Sequence, residues 1–503
     1  MNASSALTEN STGGRIVTSR ALSPGERWYW IIDQLSTLNV CARVRIEGEL
    51  SVPVLRTALG ALQERHPLLR TAIAQDAPQT PGGGPRFVPA GRPIPLREVE
   101  VSAAGDAHWT AEVDGQELKD PIDWRSGPLA RAVLISAPGH THDLVLTLPH
   151  CIADGTTALS LLRQWVRLAA APPASGRSAA PHGPLPQPFE ALFPERFRPG
   201  AHAPAGPQPA HGTDLETDSG TADGTAGGTD SGTDSGTAGG ADSGAGSGVA
   251  GGAEPPADAD ADAGEVGRLE PERFVPFAQR RTRLLHRSLG SDVLEGLALA
   301  CKREGATLHG VLAAALACAV ARDACAPPRA RFAVGSPVAL RGELRRPVSE
   351  DEAGCFVSAL HCEVRYQPGD LWAMARFIND DLAARKKRGE QYGVFSLLAA
   401  QGPAGVADSG PFIQYIDEHG PFNFFVSNIG RFEFPAELGT WQLSGAQFVG
   451  GISVVGYFGS SVSTSHGRLS WNFTHIDGAV SRERAQRIAD DSITTVLAAA
   501  QQH

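Results

Sequence analysis

Alternating apolar and polar residues predict both strands and helices in the first third of the chain. Residues 40–46 alternate with a period of two, which is typical of a half-buried strand. Ser51 and Pro53 stand where a helix cap and a first-turn proline are expected, and apolar residues then recur at helical spacing as far as His66. Two further strands are predicted at residues 130–136 and 143–148, and the apolar spacing from Leu159 to Val166, which follows Asp154-Gly155, predicts a second helix.

A second folded part is predicted from residue 268 to residue 503. Strands and helices alternate in both parts, so we expect each part to be an α/β sandwich around its own sheet. Two parts of similar size predict two lobes with a cleft between them, and ligand sites favour such interfaces. The helices predicted here are 291–303, 307–322, 371–388 and 481–500, and the strands are 332–338, 422–426, 451–458 and 469–473.

Composition divides the chain into four segments. We expect a disordered N-terminus (1–17), an N-terminal lobe (18–171), a disordered linker (172–267) and a C-terminal lobe (268–503). Between residues 212 and 267 there are twelve acidic residues and no lysine or arginine, and variants of Gly-Thr-Asp-Ser-Gly recur. Such a segment buries too little apolar surface to offset chain entropy.

The linker has one apolar island and two possible roles. Residues 189–193 are apolar enough to dock on a lobe. We expect the rest to be a passive tether; the alternative is that its charge repels acidic carrier proteins or recruits a basic partner.

Charge and cysteine usage exclude several classes of protein. The formal net charge is −11, and without the twelve acidic residues of the linker it would be +1. No basic stripe alternates with aromatic residues, so nucleic-acid binding is not expected. The seven cysteines form no Cys-x-x-Cys pair and mostly lie in apolar runs, which favours buried thiols in a reducing, cytoplasmic setting. The sequence shows neither a signal peptide nor an apolar run of membrane-spanning length, and we expect a monomer.

The candidate chemistry centres on residues 150–155, His-Cys-Ile-Ala-Asp-Gly, where a predicted strand ends. A neutral imidazole removes protons near pH 7, so His150 is a candidate general base on a rigid support. Asp154 is expected to form a buried ion pair rather than to orient His150, while Gly155 permits close backbone packing. The motif alone also fits an ordinary packed histidine. A partial copy at residues 475–478 fits a strand-to-helix turn.

Other catalytic signatures are missing from the sequence. There is no Gly-x-Ser-x-Gly elbow, no P-loop and no His or Cys pair with zinc spacing, so no metal site is expected. Cys151 adjoins His150, but neighbours near a strand end point to opposite sides, which disfavours Cys151 as a nucleophile. Among the other histidines, His66 and His309 are expected to be structural, and His140 and His142 are expected to be exposed to solvent.

Five further segments accompany the 150–155 motif in a fixed order: residues 20–30, 62–70, 121–131, 335–341 and 426–431. Together they resemble the chloramphenicol-acetyltransferase-like superfamily. This superfamily includes the condensation domains of nonribosomal peptide synthesis and the polyketide-associated acyltransferases of the phthiocerol dimycocerosyl transferase type. The resemblance runs through both lobes and leaves out the linker. Many members carry two consecutive histidines, whereas Pro149 precedes His150 here; the second histidine is the catalytic one, so the base is kept.

The resemblance implies two chloramphenicol-acetyltransferase-like α/β sandwich lobes with the active site in a tunnel between them. It implies that His150 is the general base, with Gly155 beside it in the motif. It also implies that Asp154 pairs with an arginine, and both Arg70 and Arg341 are candidates.

In the C-terminal lobe the resemblance implies that Ser427 and Asn428 bind substrate or the oxyanion. Arg431 is equally a candidate substrate contact and a candidate fold-stabilising ion pair. The implied donor is an acyl thioester, either acyl-CoA or an acyl group on the phosphopantetheine arm of a carrier protein, with no bound cofactor.

The implied reaction is transfer of the acyl group to a small-molecule alcohol, giving an ester by direct attack, in polyketide, lipid or other secondary metabolism. One alternative is amide formation with an amine acceptor by a free-standing condensation domain. Another, from a different class, is a catalytically silent module that binds carrier proteins.

Overall fold

The computed structural model describes residues 19–75, 83–171, 184–199 and 266–501. The predicted N-terminal disorder and most of the predicted linker lie outside the described residues. In the first part of the chain, strands β1 to β7 are Arg20–Ala21, Asn39–Glu47, Thr71–Gln75, Pro85–Pro89, Leu96–Glu100, Arg131–Ala137 and Thr141–Pro149, and helices α1 to α4 are Pro24–Leu35, Val52–Arg65, Asp106–Glu112 and Gly155–Ala170.

The second part of the chain supplies the remaining elements. Strands β8 to β16 are Val266–Gly267, Thr282–Leu289, Arg331–Ala339, Val357–Arg365, Phe424–Arg431, Glu437–Leu438, Trp441–Gly450, Phe458–Ser465 and Arg468–Ile476. Helices α5 to α10 are Ser291–Glu304, Leu308–Asp323, Leu371–Arg388, Gly393–Gln401, Gly410–His419 and Arg482–Ala500.

The described strands form three sheets. One sheet has the order β13-β14-β2-β7-β6-β5, and a second has the order β11-β10-β12-β15-β16-β9 with β8 beside β10. A small third sheet has the order β1-β4-β3. Helices cover both large sheets, and each has its own hydrophobic core. The predicted α/β class with two lobes is confirmed.

The two large sheets do not follow the two parts of the chain. β14 crosses over from the second part and pairs antiparallel with β2, from Gln442 opposite Glu47 to Gly450 opposite Val40. The prediction that each part builds its own sheet was therefore wrong. An apolar pattern shows which face of a strand is buried, but it does not show which strand is the partner.

Helix starts follow local capping chemistry. Ser23 and Glu26 form a complete capping box at α1, and the Asp370 side chain caps α7, which ends at Gly389 with a φ of 81°. Ser51 does lie at the cap position of α2, but its side chain makes no capping hydrogen bond.

Two strand predictions need correction. β2 is buried on both faces rather than half-buried, because it lies inside its sheet and α4 packs on it. The predicted strand at 451–458 is wrong, since β14 ends at Gly450 and a turn leads to β15 at Phe458. Ile452 and Val454 are buried within that turn, which explains the misleading apolar pattern.

The apolar island of the predicted linker docks as expected. Residues 184–199 are ordered, and Phe189 and Phe193 pack edge-on against Phe395 with ring centroids 5.0 and 5.3 Å away. At the other end of the predicted linker, Val266 and Gly267 form β8 beside β10, and the remaining linker residues lie outside the described ranges.

No single described helix is long and apolar enough to cross a membrane. Taken together, α5 and α6 would pass by length and composition, but they meet at a bend of 97°. α6 is buried along nearly all of its length in the C-terminal core.

Candidate active site

His150 lies where β7 gives way to α4. β7 ends at Pro149, the His150 backbone N–H donates to the Leu38 carbonyl over 3.1 Å, and α4 begins at Gly155. Because β7 is buried along most of its length, the sheet fixes the position of this histidine. The His150 side chain lines a cavity of about 520 Å³ whose walls come from both lobes.

The His150 imidazole is held between an aromatic ring and a thiol. The Tyr29 ring stacks on it with centroids 4.4 Å apart and planes at 2°. Cys355 Sγ lies 3.5 Å from His150 Nδ1. Burial lowers the pKa of His150 below its usual value, against the smaller opposing effects of nearby backbone carbonyls and the Asp154 carboxylate. The imidazole is therefore neutral near pH 7, which is the state that a general base requires.

The Asp154 carboxylate holds the backbone and an arginine together. Its Oδ1 accepts the Thr157 backbone N–H over 2.7 Å and so caps α4, while Oδ2 accepts the Phe356 N–H over 2.8 Å. Arg341 Nη2 lies 3.6 Å from Asp154 Oδ1 and also donates to the Thr157 hydroxyl. Asp154 is thus a structural residue in this fold, with Arg341 as its ion-pair partner.

Arg70, the other candidate partner, lies elsewhere. It ends the short 3₁₀ segment Pro67–Arg70, directly before β3 in the small sheet. The hydrogen bonds and ion pair of Asp154 go to Thr157, Phe356 and Arg341 instead.

Three consecutive residues of the C-terminal lobe contact residues 150–157. The Gly354 carbonyl accepts the Thr157 hydroxyl, Cys355 contacts the His150 ring, and the Phe356 N–H binds Asp154. The catalytic candidate is therefore positioned jointly by both lobes. Tyr29 and Cys355 were not predicted as site residues, because no local pattern shows that residues 121 positions before and 205 positions after His150 contact its ring.

Gly155 is required by packing. A Cβ at this position would lie 2.5 Å from the Phe448 ring, which comes from the crossing strand β14. The expected role of this glycine, close approach at the start of α4, is what the structure shows.

The three substrate-binding candidates of the C-terminal lobe separate into two groups. Ser427 and Asn428 on β12 line the cavity, and Asn428 Oδ1 also accepts the Gly430 backbone N–H over 2.8 Å. Arg431 is not part of the cavity wall: its side chain is 79% exposed and pairs with Glu433 over 2.7 Å. Of the two roles expected for Arg431, the ion pair is present and the place in the cavity wall is not, because the β12 backbone is irregular after Asn428.

Neither cysteine near the imidazole is a ready nucleophile. All seven cysteines are free thiols, and both Cys151 and Cys355 are buried. Burial raises the pKa of each thiol well above its usual value. Because the thiolate is the reactive form, both groups are protonated and unreactive near pH 7.

The other histidines singled out in the sequence lie outside the wall of this cavity. His475 is fully buried and its Nδ1 bonds to the Val480 carbonyl over 2.8 Å, so the partial copy of the motif is a structural turn as predicted. His66 bonds to Gln164, and His309 to Ser336, each over 2.9 Å. His140 is exposed as expected, but His142 is half-buried on β7 and bonds to Ser136 over 2.9 Å. Within the described ranges, no cluster of His, Cys, Asp or Glu is arranged to hold a metal ion.

Residues 22–169 match the family model of the condensation domain, and residues 286–449 match that of the phthiocerol/phthiodiolone dimycocerosyl transferase C-terminus. The chain belongs to the condensation-domain superfamily. Its second half is of the dimycocerosyl transferase type, so the protein is of a transferase family. This agrees with the resemblance drawn from the sequence segments around His150.

Curated relatives match a little more than a quarter of the chain. Nonribosomal peptide synthetase kk1B of Curvularia clavata is 35% identical over 140 residues, which are 27% of this chain and 1% of that protein. Phosphinothricin tripeptide synthetase PhsC of Streptomyces viridochromogenes is 33% identical over 151 residues, 28% of this chain and 13% of that protein. The chain thus spans a small fraction of the length of these relatives.

Solved structures match nearly the whole chain. The epimerization domain from the third module of tyrocidine synthetase B gives a TM-score of 0.61 at 14% identity, covering 98% of each chain. Polyketide synthase associated protein 5 of Mycobacterium tuberculosis gives 0.58 at 18% identity, covering 96% of this chain and 98% of that one. The SgcC5 protein of Streptomyces globisporus gives 0.55 at 15% identity, covering 96% and 98%. At these identities the likeness establishes the fold.

Proposed function

We propose that this protein moves an acyl group from a thioester to an alcohol acceptor, forming an ester, with His150 as the general base. The observation that carries the proposal is a neutral imidazole held at a cavity that both lobes line. Its ring is fixed by stacking on Tyr29 and by the contact of Nδ1 with Cys355. A base held in one orientation is what proton transfer from a weakly acidic acceptor requires.

In the proposed reaction His150 Nε2 takes the hydroxyl proton as the acceptor oxygen attacks the thioester carbonyl. The tetrahedral intermediate then collapses, the carbon–sulfur bond breaks, and the departing thiolate takes the proton from the imidazolium. The products are an ester and a free thiol. Attack is direct, because the buried thiols of Cys151 and Cys355 are protonated and unsuited to form an acyl-enzyme.

The start of α4 is the proposed stabiliser of the oxyanion. Gly155 and Thr156 line the cavity in the first turn of this helix, where backbone N–H groups lack partners within the helix. Together with the positive end of the helix dipole, such donors favour a developing negative charge. Ser427 and Asn428, which also line the cavity, are proposed to bind polar groups of the substrates.

Ester formation is preferred to amide formation on the character of the second half of the chain. That half matches a dimycocerosyl transferase C-terminus, and the SgcC5 structure was solved in complex with (R)-(-)-1-(2-naphthyl)-1,2-ethanediol, an alcohol. The peptide synthetase relatives favour the amide alternative. The donor is proposed to be acyl-CoA or an acyl group on a carrier protein.

The catalytically silent alternative predicts no route to the histidine. His150 lines an open cavity, and this supports catalysis over silence. The combination of base, capped helix and ordered ion pair at Asp154 also supports a working site.

The proposal is tested by turnover of acyl-CoA and acyl-carrier-protein donors with matched alcohol and amine acceptors, followed by mass spectrometry of the products. We expect His150→Ala to lose activity by a factor of at least about 100, in line with the contribution of general-base catalysis. His140→Asn is the control, since His140 is exposed and lies away from the cavity. Unchanged turnover in His150→Ala would refute the assignment of His150 as the general base. An amide as the main product would refute ester formation and support the condensation alternative.

A further inference from the structure

The cavity beside His150 has an almost wholly uncharged wall. Of the residues that the structure describes, no lysine, arginine or glutamate lines it, and the one carboxylate among them, Asp154, is engaged by two backbone N–H groups and Arg341. Aromatic rings supply much of the remaining surface, among them Trp28, Phe412, Phe422, Phe425 and Phe448. Such a wall has no group to pair with a positively charged substrate.

One side of this cavity is the face of the seven-stranded sheet. Four residues lie in register across neighbouring strands: His361 on β11, Gly335 on β10, Phe425 on β12 and Gly459 on β15. Residues in register project to the same face of a sheet. Side chains therefore alternate with glycine gaps along this row.

The glycine gaps are filled by phenylalanine rings. A Cβ at Gly335 would overlap the Phe422 ring, and a Cβ at Gly459 would overlap the Phe425 ring. Both rings thus lie close against the sheet, and the Cβ position of Gly335 meets both the Phe422 ring and, at 2.8 Å, the Phe425 Cβ. We call this apolar surface the aromatic floor (Phe422 and Phe425 over Gly335 and Gly459). Larger residues at the two glycines would push these rings into the cavity.

His361 borders the aromatic floor. Its ring centroid lies 6.3 Å from that of Phe422, and it lines the cavity. Burial lowers the pKa of His361, so the ring is neutral near pH 7 and adds a hydrogen-bonding group without adding charge. The charged groups around it, Arg385, Glu363, Asp381 and Glu390, have smaller and partly opposing effects.

We propose that the aromatic floor, with His361 at its edge, is a subsite for a bulky uncharged apolar group, aryl or branched alkyl, of a substrate that carries no free ammonium near the reacting carbon. The inference rests on the proposed function, because it assigns the substrate of that same site. Flat rings against a sheet favour stacked or edge-on aromatic contacts. A buried ammonium without a partner would be rejected, since desolvation of an unpaired charge outweighs the apolar contacts.

Two sources supply such a group, the acyl chain of the donor and the body of the acceptor, and two matched pairs of probes distinguish them. The donor pair is 3-phenylpropanoyl-CoA and phenylalanyl-CoA, which share a skeleton and differ by the α-ammonium. The acceptor pair is 3-phenyl-1-propanol and phenylalaninol. Equilibrium binding is measured by calorimetry on the full-length His150→Ala variant, where turnover does not intervene, so a failure of the proposed base does not affect this test.

In one of the two pairs, we expect the neutral probe to bind at least tenfold more tightly than the probe that carries the ammonium group. That pair shows whether the apolar group belongs to the donor or to the acceptor. Phe422→Leu should weaken binding of that neutral probe at least fivefold, and Gly459→Ala should do the same by moving the Phe425 ring. The control is Phe377→Leu, because Phe377 is 47% exposed and lies outside the cavity. Equal or tighter binding of the ammonium members in both pairs, no binding of either neutral probe, or no response to Phe422→Leu would each overturn the proposal.

Discussion

The backbone N–H of Phe356 donates a hydrogen bond of 2.8 Å to Asp154 Oδ2, although the two residues are 202 positions apart. Through this bond and the Arg341 ion pair, one carboxylate joins the C-terminal lobe to the start of α4. Both charged side chains are about nine-tenths buried, so the partner left behind would lack both charge compensation and water.

We therefore expect Asp154→Ala to lower the free energy of unfolding by about 3 kcal/mol, the scale for removing one partner of a buried ion pair. Glu433→Ala is the matched control, because the Arg431–Glu433 pair is 79% and 76% exposed and should contribute within about 0.5 kcal/mol. Denaturant unfolding followed by circular dichroism measures both. Equal losses in the two variants would contradict the structural role of Asp154.

Much of the fold was predictable because helices and strands are local. The predicted bounds of α7 match the structure, and β10 differs from its prediction by one residue at each end. The pairing of β14 with β2 was not predictable, since strand partners are set by contacts between residues about 400 positions apart.

The candidate site was predictable only where its residues are contiguous. His150, Asp154 and Gly155 lie within six positions, and a strand-to-helix change marks them in the sequence. Sequence alone left Arg70 and Arg341 open as partners of Asp154, and only the three-dimensional structure separates them. Sequence also left two roles open for Arg431, and the structure shows the ion pair, because the irregular backbone after Asn428 changes which side chains face the cavity.

The close contact at Gly155 predicts a steric effect. Gly155→Ala places a methyl group 2.5 Å from the Phe448 ring and should destabilise the protein by about 1–3 kcal/mol, the usual cost of overpacking. Gly60→Ala is the opposite case: Gly60 lies inside α2 and a Cβ there meets nothing within 4 Å. It should stabilise by about 0.5–1 kcal/mol. Thermal unfolding measures the stability of both variants. If Gly155→Ala were as stable as the wild type, the Phe448 ring would have to move aside at no cost.

Burial of the thiols predicts selective modification. Cys325 is exposed, whereas the other six cysteines are buried. In the native protein we expect one thiol to react quickly with Ellman's reagent, and all seven to react in guanidinium chloride. Cys325→Ser should abolish the fast phase without affecting turnover. Fast labelling of Cys151 or Cys355 with loss of activity would instead indicate a reactive thiol and would support a mechanism with an acyl-enzyme intermediate.

Buried neutral histidines predict that stability falls in acid. Burial lowers the pKa of His309 to about 4, while the unfolded chain keeps an ordinary value near 6.5. Between these values the unfolded state binds more protons, so the contribution of His309 is fully present above pH 6.5 and is lost as the pH falls towards 4. We expect His309→Gln to lessen this loss by at most about 3 kcal/mol. Unfolding curves at pH 7.0 and 4.5 measure it, and an identical pH dependence in both proteins would contradict the prediction.

The lowered pKa of His150 predicts the pH profile of the reaction. A general base works in its neutral form, so kcat/KM should be constant near pH 7–8 and should fall only below the usual histidine value of about 6.5. Burial is the main cause, so admitting water should move the acidic limb towards higher pH. Tyr29→Ala removes the ring stacked on His150 and should produce that shift together with a lower kcat. Phe377→Leu should leave the limb in place, because Phe377 is exposed and outside the cavity. A wild-type limb centred above pH 7 would show that the group titrating in the free enzyme is not a buried histidine.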